Sequence, residues 1–253
     1  MNKTKNTSYC LKRCFLLYII SKRQITIVVC IIAMCICLYL ILKNNVHKKI
    51  IQTDAIPSAN KVVIIDAGHG GEDGGAISKN GIKESDINLK IALKLQNLLE
   101  ENGTTVILTR SNENAIYDEG MTTLRQKKVS DIKNRVKIGN NSNADIFISI
   151  HLNKIPQEKY YGWQCFFNEK DESSKKLAKS IQQALNETIE IENKREALKI
   201  KNIYIIDNVK IPTAIVECGF LSNKNEEQLL QTEEYQEKLA QGIYKGINSY
   251  FGN

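Results

Sequence analysis

Residues 62–75 read VVIIDAGHGGEDGG, and no other stretch narrows the choice of fold as far. A short apolar run rich in β-branched residues predicts a buried strand. It breaks into a loop whose glycines permit backbone conformations closed to other residues. His69 lies in that loop, just past the strand's carboxyl end, which is where ligands bind in open α/β sheets. Two further apolar runs lead into a side chain suited to chemistry: DIFISI (145–150) into His151, and TAIV (213–216) into Glu217. Three strand ends bearing His, His and Glu predict a single site on one rim of one sheet.

The rest of the folded part supports that sheet. Ser85–Gly103 reads as a helix, with Ser85 as N-cap, Ile87, Ile91, Leu95 and Leu98 at helical spacing, and Gly103 as its stop. Thr105–Leu108 is the next strand, and β–loop–α–β implies a parallel pair joined by a right-handed crossover. Met121–Asn141 predicts a second helix with Val129, Ile132 and Val136 on one face, and Glu172–Thr188 a third. Asp145–Ile150 is nearly all apolar, as a central strand covered on both faces should be. Tyr161–Phe167, Ile203–Ile206 and Thr213–Val216 read as further strands, and helices over Asn225–Leu230 and Thr232–Phe251 follow. One layered α/β domain over 61–253 is expected.

The formal charge of +7 does not belong to that domain. Residues 1–50 hold nine Lys or Arg and no acid, so removing those nine leaves the remainder at −2. Net charge therefore gives no support to nucleic-acid binding. Ile25–Leu42 is eighteen residues without a charge, flanked by Lys22, Arg23 and Lys43, and is expected to be a transmembrane signal-anchor. The basic excess on its N-terminal side puts residues 1–24 in the cytoplasm and the domain outside the membrane. Residues 43–60 are polar and read as a tether, and His47 among them as a solvated side chain. Of seven cysteines only Cys165 and Cys218 lie beyond the leader, too few for a disulfide framework, although a bridge between them stays open.

Neutral imidazole and carboxylate oxygen are ligands zinc takes in catalytic sites, with three protein groups and one open position. His69 and His151 supply two. Glu84, at the start of the helix after the glycine loop, is the favoured third, with Asp66, Glu72, Asp73 and Asp86 as competitors. Asp66 and Asp73 read more naturally as loop or helix-terminus hydrogen-bonding residues. A carboxylate directly after an apolar strand is costly unless it faces a cleft, which suits Glu217 to the work of a base. The loop lacks both GK[ST] and GxGxxG, and no GxSxG occurs, so phosphate cradles and serine hydrolases are disfavoured.

DAGHGGEDGGA, Glu84, NADIFISIHLN and PTAIVECGFLSN, in that order, resemble the zinc-dependent N-acetylmuramoyl-L-alanine amidases over Lys61–Phe251. TTLRQKKVSDIKNRV and HLNKIPQEKYYGWQCFF are similar to the spore-cortex, germination-specific subgroup. The resemblance implies a three-layer α/β/α fold with a mixed, six-stranded sheet. It implies one zinc ion on His69, Glu84 and His151, Glu217 as the catalytic carboxylate, and cortex peptidoglycan as substrate. Ala67, Ser85 and Cys218 depart from the family's usual Pro, Lys and Val or Thr, without removing a ligand or the base. No inserted autoinhibitory helix or cell-wall-binding repeat is visible, so an activating protein partner is one expected means of control. The rival readings are a non-catalytic peptidoglycan-binding module on the same fold and a zinc carboxypeptidase.

Overall fold

The computed structural model describes residues 22–51 and 56–252, with side chains over 25–39 and 56–252. Two units separate, one ending at Ala55 and one running from Ile56 to Asn253. The first contains helix α1 (Lys22–Ile51), which continues past the Leu42 boundary read from hydropathy. The cytoplasmic leader expected over 1–24 falls outside the described side chains, as does His47. Among the described residues no helix is long and apolar enough to cross a membrane, and the expected anchor extends beyond the side chains that are described.

The second unit begins before Lys61. Ser58 is buried, its backbone N–H donating to Asn248 Oδ1 at 3.1 Å and its carbonyl accepting from Thr104 Oγ1 at 2.9 Å. From there the chain forms β1 (Val62–Ala67), α2 (Glu84–Glu100), β2 (Thr105–Leu108), α3 (Leu124–Asn141), β3 (Ile146–Asn153) and β4 (Gln164–Asn168). It continues through α4 (Glu172–Thr188), β5 (Leu198–Ile200), α5 (Tyr204–Asn208), β6 (Thr213–Phe220), α6 (Lys224–Leu230) and α7 (Glu233–Gly252). The six strands lie in the order β2-β1-β3-β6-β4-β5. All neighbours are parallel except β4 and β6, so the sheet is mixed.

Strand alternation sorts side chains onto two faces. Val63, Ile65, Ile146, Ile148, Ile150, Ala214 and Val216 face one core, against α2, α4 and α7. Ile64 and Phe147 face the other, with Val136 of α3 and Ile205 of α5. Helices on both faces of a largely parallel sheet make three layers, and β3 is covered on both sides as its apolar run predicts.

Three expectations change. Ile203–Ile206 is no strand but the start of α5, and the strand in that region is the short β5. Ile205 and Ile206 are both buried; adjacent strand residues would point to opposite faces, whereas one turn of helix lays both against the sheet. A short apolar run does not by itself distinguish the two. Val129 is 46% exposed, so the apolar face of α3 reduces to Ile132 and Val136. Ser85 is not an N-cap: α2 begins at Glu84 after Lys83, with no side-chain cap. Instead the Glu84 and Ser85 N–H groups donate to the Ala76 and Gly74 carbonyls, so the glycine loop closes the helix end. The bridge left open between Cys165 and Cys218 is not formed: both are buried free thiols.

Candidate active site

The glycine loop follows β1 at the sheet's carboxyl edge. His69 adopts a left-handed φ of 62°, unusual for a residue with a Cβ, and the loop's backbone is clamped from beneath. Arg135 of α3 donates from Nη1 to the Ala67 carbonyl (2.7 Å) and from Nη2 to the His69 carbonyl (2.7 Å). Arg110 donates to the carbonyls of Ala67 (2.8 Å), Gly68 (3.1 Å) and Ser85 (2.8 Å), linking loop to helix. Two glycines are required by close approach. A Cβ on Gly68 would lie 2.3 Å from the His151 ring, and one on Gly75 would lie 2.6 Å from both Glu84 Oε2 and His69 Cδ2, with φ already +67°.

His151 and Glu217 lie within strands, not beyond their ends. β3 runs on to Asn153 and β6 to Phe220, and His151 pairs in register with Glu217. The Glu84 carboxylate turns back from the first turn of α2. Its Oε2 accepts from the Ala76 N–H (2.7 Å), and its Oε1 accepts from Leu152 N–H (3.0 Å) and lies 2.9 Å from His151 Nδ1 and 3.4 Å from His69 Nε2. The two imidazole rings meet edge to face, centroids 5.0 Å apart. His69, Glu84 and His151 each offer a ligand atom, all within 4.8 Å of one another.

Of the competing carboxylates, Asp73 has a different task. Its Oδ2 lies 2.9 Å from His69 Nδ1, on the ring edge opposite Glu84, and orients the imidazole. Asp66 is no loop residue: it is fully buried in β1, paired with Arg135 Nη1 at 2.6 Å and accepting from Ser149 Oγ at 2.6 Å. Glu72 pairs with Lys127 instead, and Asp86 accepts from Ser85 Oγ. Sequence reading missed Arg110 and Arg135. The available signal was Asp131–Arg135 at i,i+4 on a helix, ion-paired here at 2.7 Å.

Charge in the site follows from burial. Desolvation lowers the His69 pKa, but the flanking Asp73 and Glu84 outweigh it and raise the imidazole to about 9. Glu217 moves the other way from an ordinary carboxylate: burial pushes it up to about 7, the His151 ring opposing and Glu84 reinforcing the shift. Its Oε2 is shut off from solvent and has no hydrogen-bond partner among the described residues. Buried polar atoms are nearly always paired, so an orphaned carboxylate oxygen facing a His–Glu–His cluster marks a place built for something further. Two imidazole nitrogens and one carboxylate oxygen, with a free carboxylate beside them, are the donor set of a catalytic divalent-metal hydrolase.

Known proteins agree with that class. The model of the N-acetylmuramoyl-L-alanine amidase family matches residues 63–249. The germination-specific N-acetylmuramoyl-L-alanine amidase of Bacillus subtilis is 41% identical over 197 residues, covering 78% of this chain and 82% of the relative. Among solved structures, the CwlD amidase of Clostridioides difficile, in complex with the GerS lipoprotein, superposes with a TM-score of 0.75 at 47% identity. That match covers 76% of this chain and 99% of that one. The catalytic domain of CwlV, an amidase from Bacillus (Paenibacillus) polymyxa, matches with a TM-score of 0.64 at 31% identity, covering 76% and 98%.

The site and sheet are those of an α/β hydrolytic enzyme with a metal-competent His–Glu–His cluster. The chain belongs to the N-acetylmuramoyl-L-alanine amidase family and is an amidase of the cell wall.

Proposed function

We propose that this amidase is zinc-dependent, with His69, Glu84 and His151 as ligands and Glu217 as the general base. We further propose that it acts on spore-cortex peptidoglycan, at the bond between the lactyl group of N-acetylmuramic acid and L-alanine. The observation that carries the reading is the orphaned Glu217 carboxylate facing three convergent ligand atoms. Zinc held there would supply a Lewis acid for the amide carbonyl and bring the pKa of water to about 7.

Glu217 then has the proton work. With a pKa near 7 it can take the proton of the attacking water and return it to the departing amine of L-alanine, and an acid–base group works best near the ambient pH. Asp73 holds the His69 ring, and Arg135 and Arg110 hold the loop that carries it. The products are a free stem peptide and a muramic acid stripped of peptide, the form needed for muramic-δ-lactam. The lactam role follows the subgroup resemblance, and the germination setting also the relative's name. The same likeness supports a lipoprotein partner. The charge-free run at 25–42 supports a membrane anchor with the catalytic unit outside the cytoplasmic membrane.

The test is full-length protein with zinc and purified peptidoglycan, scored by new L-alanine N-termini. Their appearance supports the amidase; release of C-terminal amino acids would convert it into a carboxypeptidase, and release of nothing by zinc-loaded protein into a binding module. His69→Ala should lose stoichiometric zinc, and unchanged occupancy would remove His69 from the ligand set.

The same assignment predicts a pH dependence. A ligating imidazole must be neutral, and His69 is protonated below about 9 in the metal-free protein. Apparent zinc affinity should therefore rise with pH, about tenfold per unit while His69 is the proton competitor, and level off near 9. Competition against a chelator at pH 6.5, 7.5 and 8.5 reads this directly, and a flat profile would contradict it.

A further inference from the structure

A second cleft, of about 440 Å³, lies beside β4, whose Gln164 pairs with Glu217; it is lined by Lys159, Tyr160 and Tyr161 before β4 and by Glu192, Lys194 and Arg195 after α4. Its position is set by an irregularity in β6. His151 pairs with Glu217, but Asn153 pairs with Phe220, so β6 carries one extra residue between the two pairs. His151 and Asn153 point the same way along β3, and cross-strand partners share a face. The bulge therefore brings Phe220 onto Glu217's face, where strict alternation over three residues would have turned it away. Because Glu217 sits opposite His151 and Phe220 opposite Asn153, Phe220 lies about 7 Å along the strand from Glu217, two residues' rise on β3.

Phe220 packs against two of the residues that line the cleft. The Tyr160 ring lies tilted over it with centroids 6.5 Å apart, and the Arg195 guanidinium sits 4.9 Å from its centroid. Arg195 also donates from Nη1 to the Tyr161 carbonyl, and Lys159 Nζ lies 5.4 Å from the Tyr160 centroid. The walls are strapped from behind by Glu226, buried to 4% exposure. Its two oxygens accept from the Gly162 N–H (2.8 Å) and the Phe220 N–H (2.7 Å). Asn193 ties the far wall to the Trp163 carbonyl at 2.8 Å. Among the described residues Lys159 and Arg195 have no ion pair, and Glu192, the one lining acid, is taken by Lys194 at 3.0 Å. The cleft is thus a braced aromatic bed with Lys159 and Arg195 at its edge, neither in an ion pair, Arg195 within reach of the buried Glu226's field.

We propose that this cleft is the subsite for the stem peptide, with Arg195 and Lys159 binding the free α-carboxylate of its second residue. The proposal rests on the amidase reading. The substrate's N-acetylated sugars carry no charge and the lactyl carboxyl is consumed in the scissile amide, so anionic groups lie on the peptide side. Two extended residues span about 7 Å, which brings a γ-linked glutamate's free carboxylate from the amide at Glu217 to the edge of this cleft. An arginine fork held on an aromatic face matches a planar carboxylate.

The experiment compares N-acetylmuramoyl-L-alanyl-D-glutamate capped as its γ-methylamide, in which only the α-carboxylate is free, with the α-amide of the same γ-capped compound, in which no carboxylate remains, on the full-length zinc-loaded enzyme. The expected result is a KM about tenfold lower for the acid, with the ratio falling to about one in Lys159→Gln and in Arg195→Gln. Lys159 is exposed, so its variant keeps the test clear of folding defects. Equal KM values for the two compounds in the wild type, or a ratio that survives both variants, would overturn the subsite. If neither compound is cleaved the amidase reading fails separately. The subsite is then decided by calorimetry: binding of the acid over the amide, lost in the variants, supports it, and equal or absent binding overturns it.

Discussion

Glu217→Gln is expected to lower kcat by about two to four orders of magnitude, the range assigned to a positioned acid–base group, while zinc occupancy stays as in the wild type. The side chain keeps its volume, so the pairing of His151 with residue 217 across β3 and β6 is undisturbed. Stability should not fall: the Glu217 carboxyl is raised by burial to about 7, and a neutral amide removes the cost of carrying a charge there at higher pH. Sign matters for the wild type. A carboxylate with a raised folded-state pKa contributes less to stability as pH climbs from the unfolded value near 4 towards about 7. The variant should thus gain relative to the wild type across that window. Turnover on muropeptides, zinc content and melting at pH 5 and pH 8 measure all three. Normal turnover would remove Glu217 from the mechanism, and lost zinc would make it a ligand.

Arg135→Met should produce the largest loss of stability, about 3–5 kcal/mol, the scale for breaking a buried ion pair by removing one partner. Arg135 is 2% exposed and Asp66 is 0% exposed. Burial alone would raise Asp66, yet the Arg135 guanidinium and the Ser149 hydroxyl hold it below the ordinary carboxylate range. Its contribution in the wild type is present above the unfolded pKa near 4 and is lost as pH falls through the lower folded value. In the variant the largest lowering influence is gone and burial is opposed only by the Ser149 and Thr109 hydroxyls and the His151 ring, so the Asp66 pKa rises and its contribution above pH 4 shrinks. The deficit against the wild type is therefore largest at neutral pH and shrinks in acid. Denaturant melts at pH 4.5 and pH 7.5 test this; a deficit under 1 kcal/mol at both would show that the pair is dispensable. Because Arg135 also holds the His69 carbonyl, folded variant protein should bind zinc more weakly.

Much of this was legible in order along the chain. β1, β2 and α4 follow from short-range pattern: an apolar run ended by glycines, a β-branched quartet, and Leu177, Ile181 and Leu185 at helical spacing. The parallel β1–β2 pair follows from the crossover rule. Even the meeting of His69 with His151 could be anticipated, because parallel strands of one sheet put their carboxyl ends on one rim.

Periodicity reports only which face of its own element a residue occupies, and by itself it determined the layers, the core helices and the set of histidines worth considering. The tertiary structure alone decided the rest. It brought Glu84 to the two histidines and left Asp73 behind the ring, a choice made by Gly74 and Ala76 carbonyls capping α2. It paired Asp66 of β1 with Arg135 of α3, sixty-nine residues apart, and used one extra residue in β6 to turn Phe220 onto the site's face. Each of these depends on a contact between distant segments, whose energy arises from desolvation and hydrogen bonding that exist only once the layers have closed.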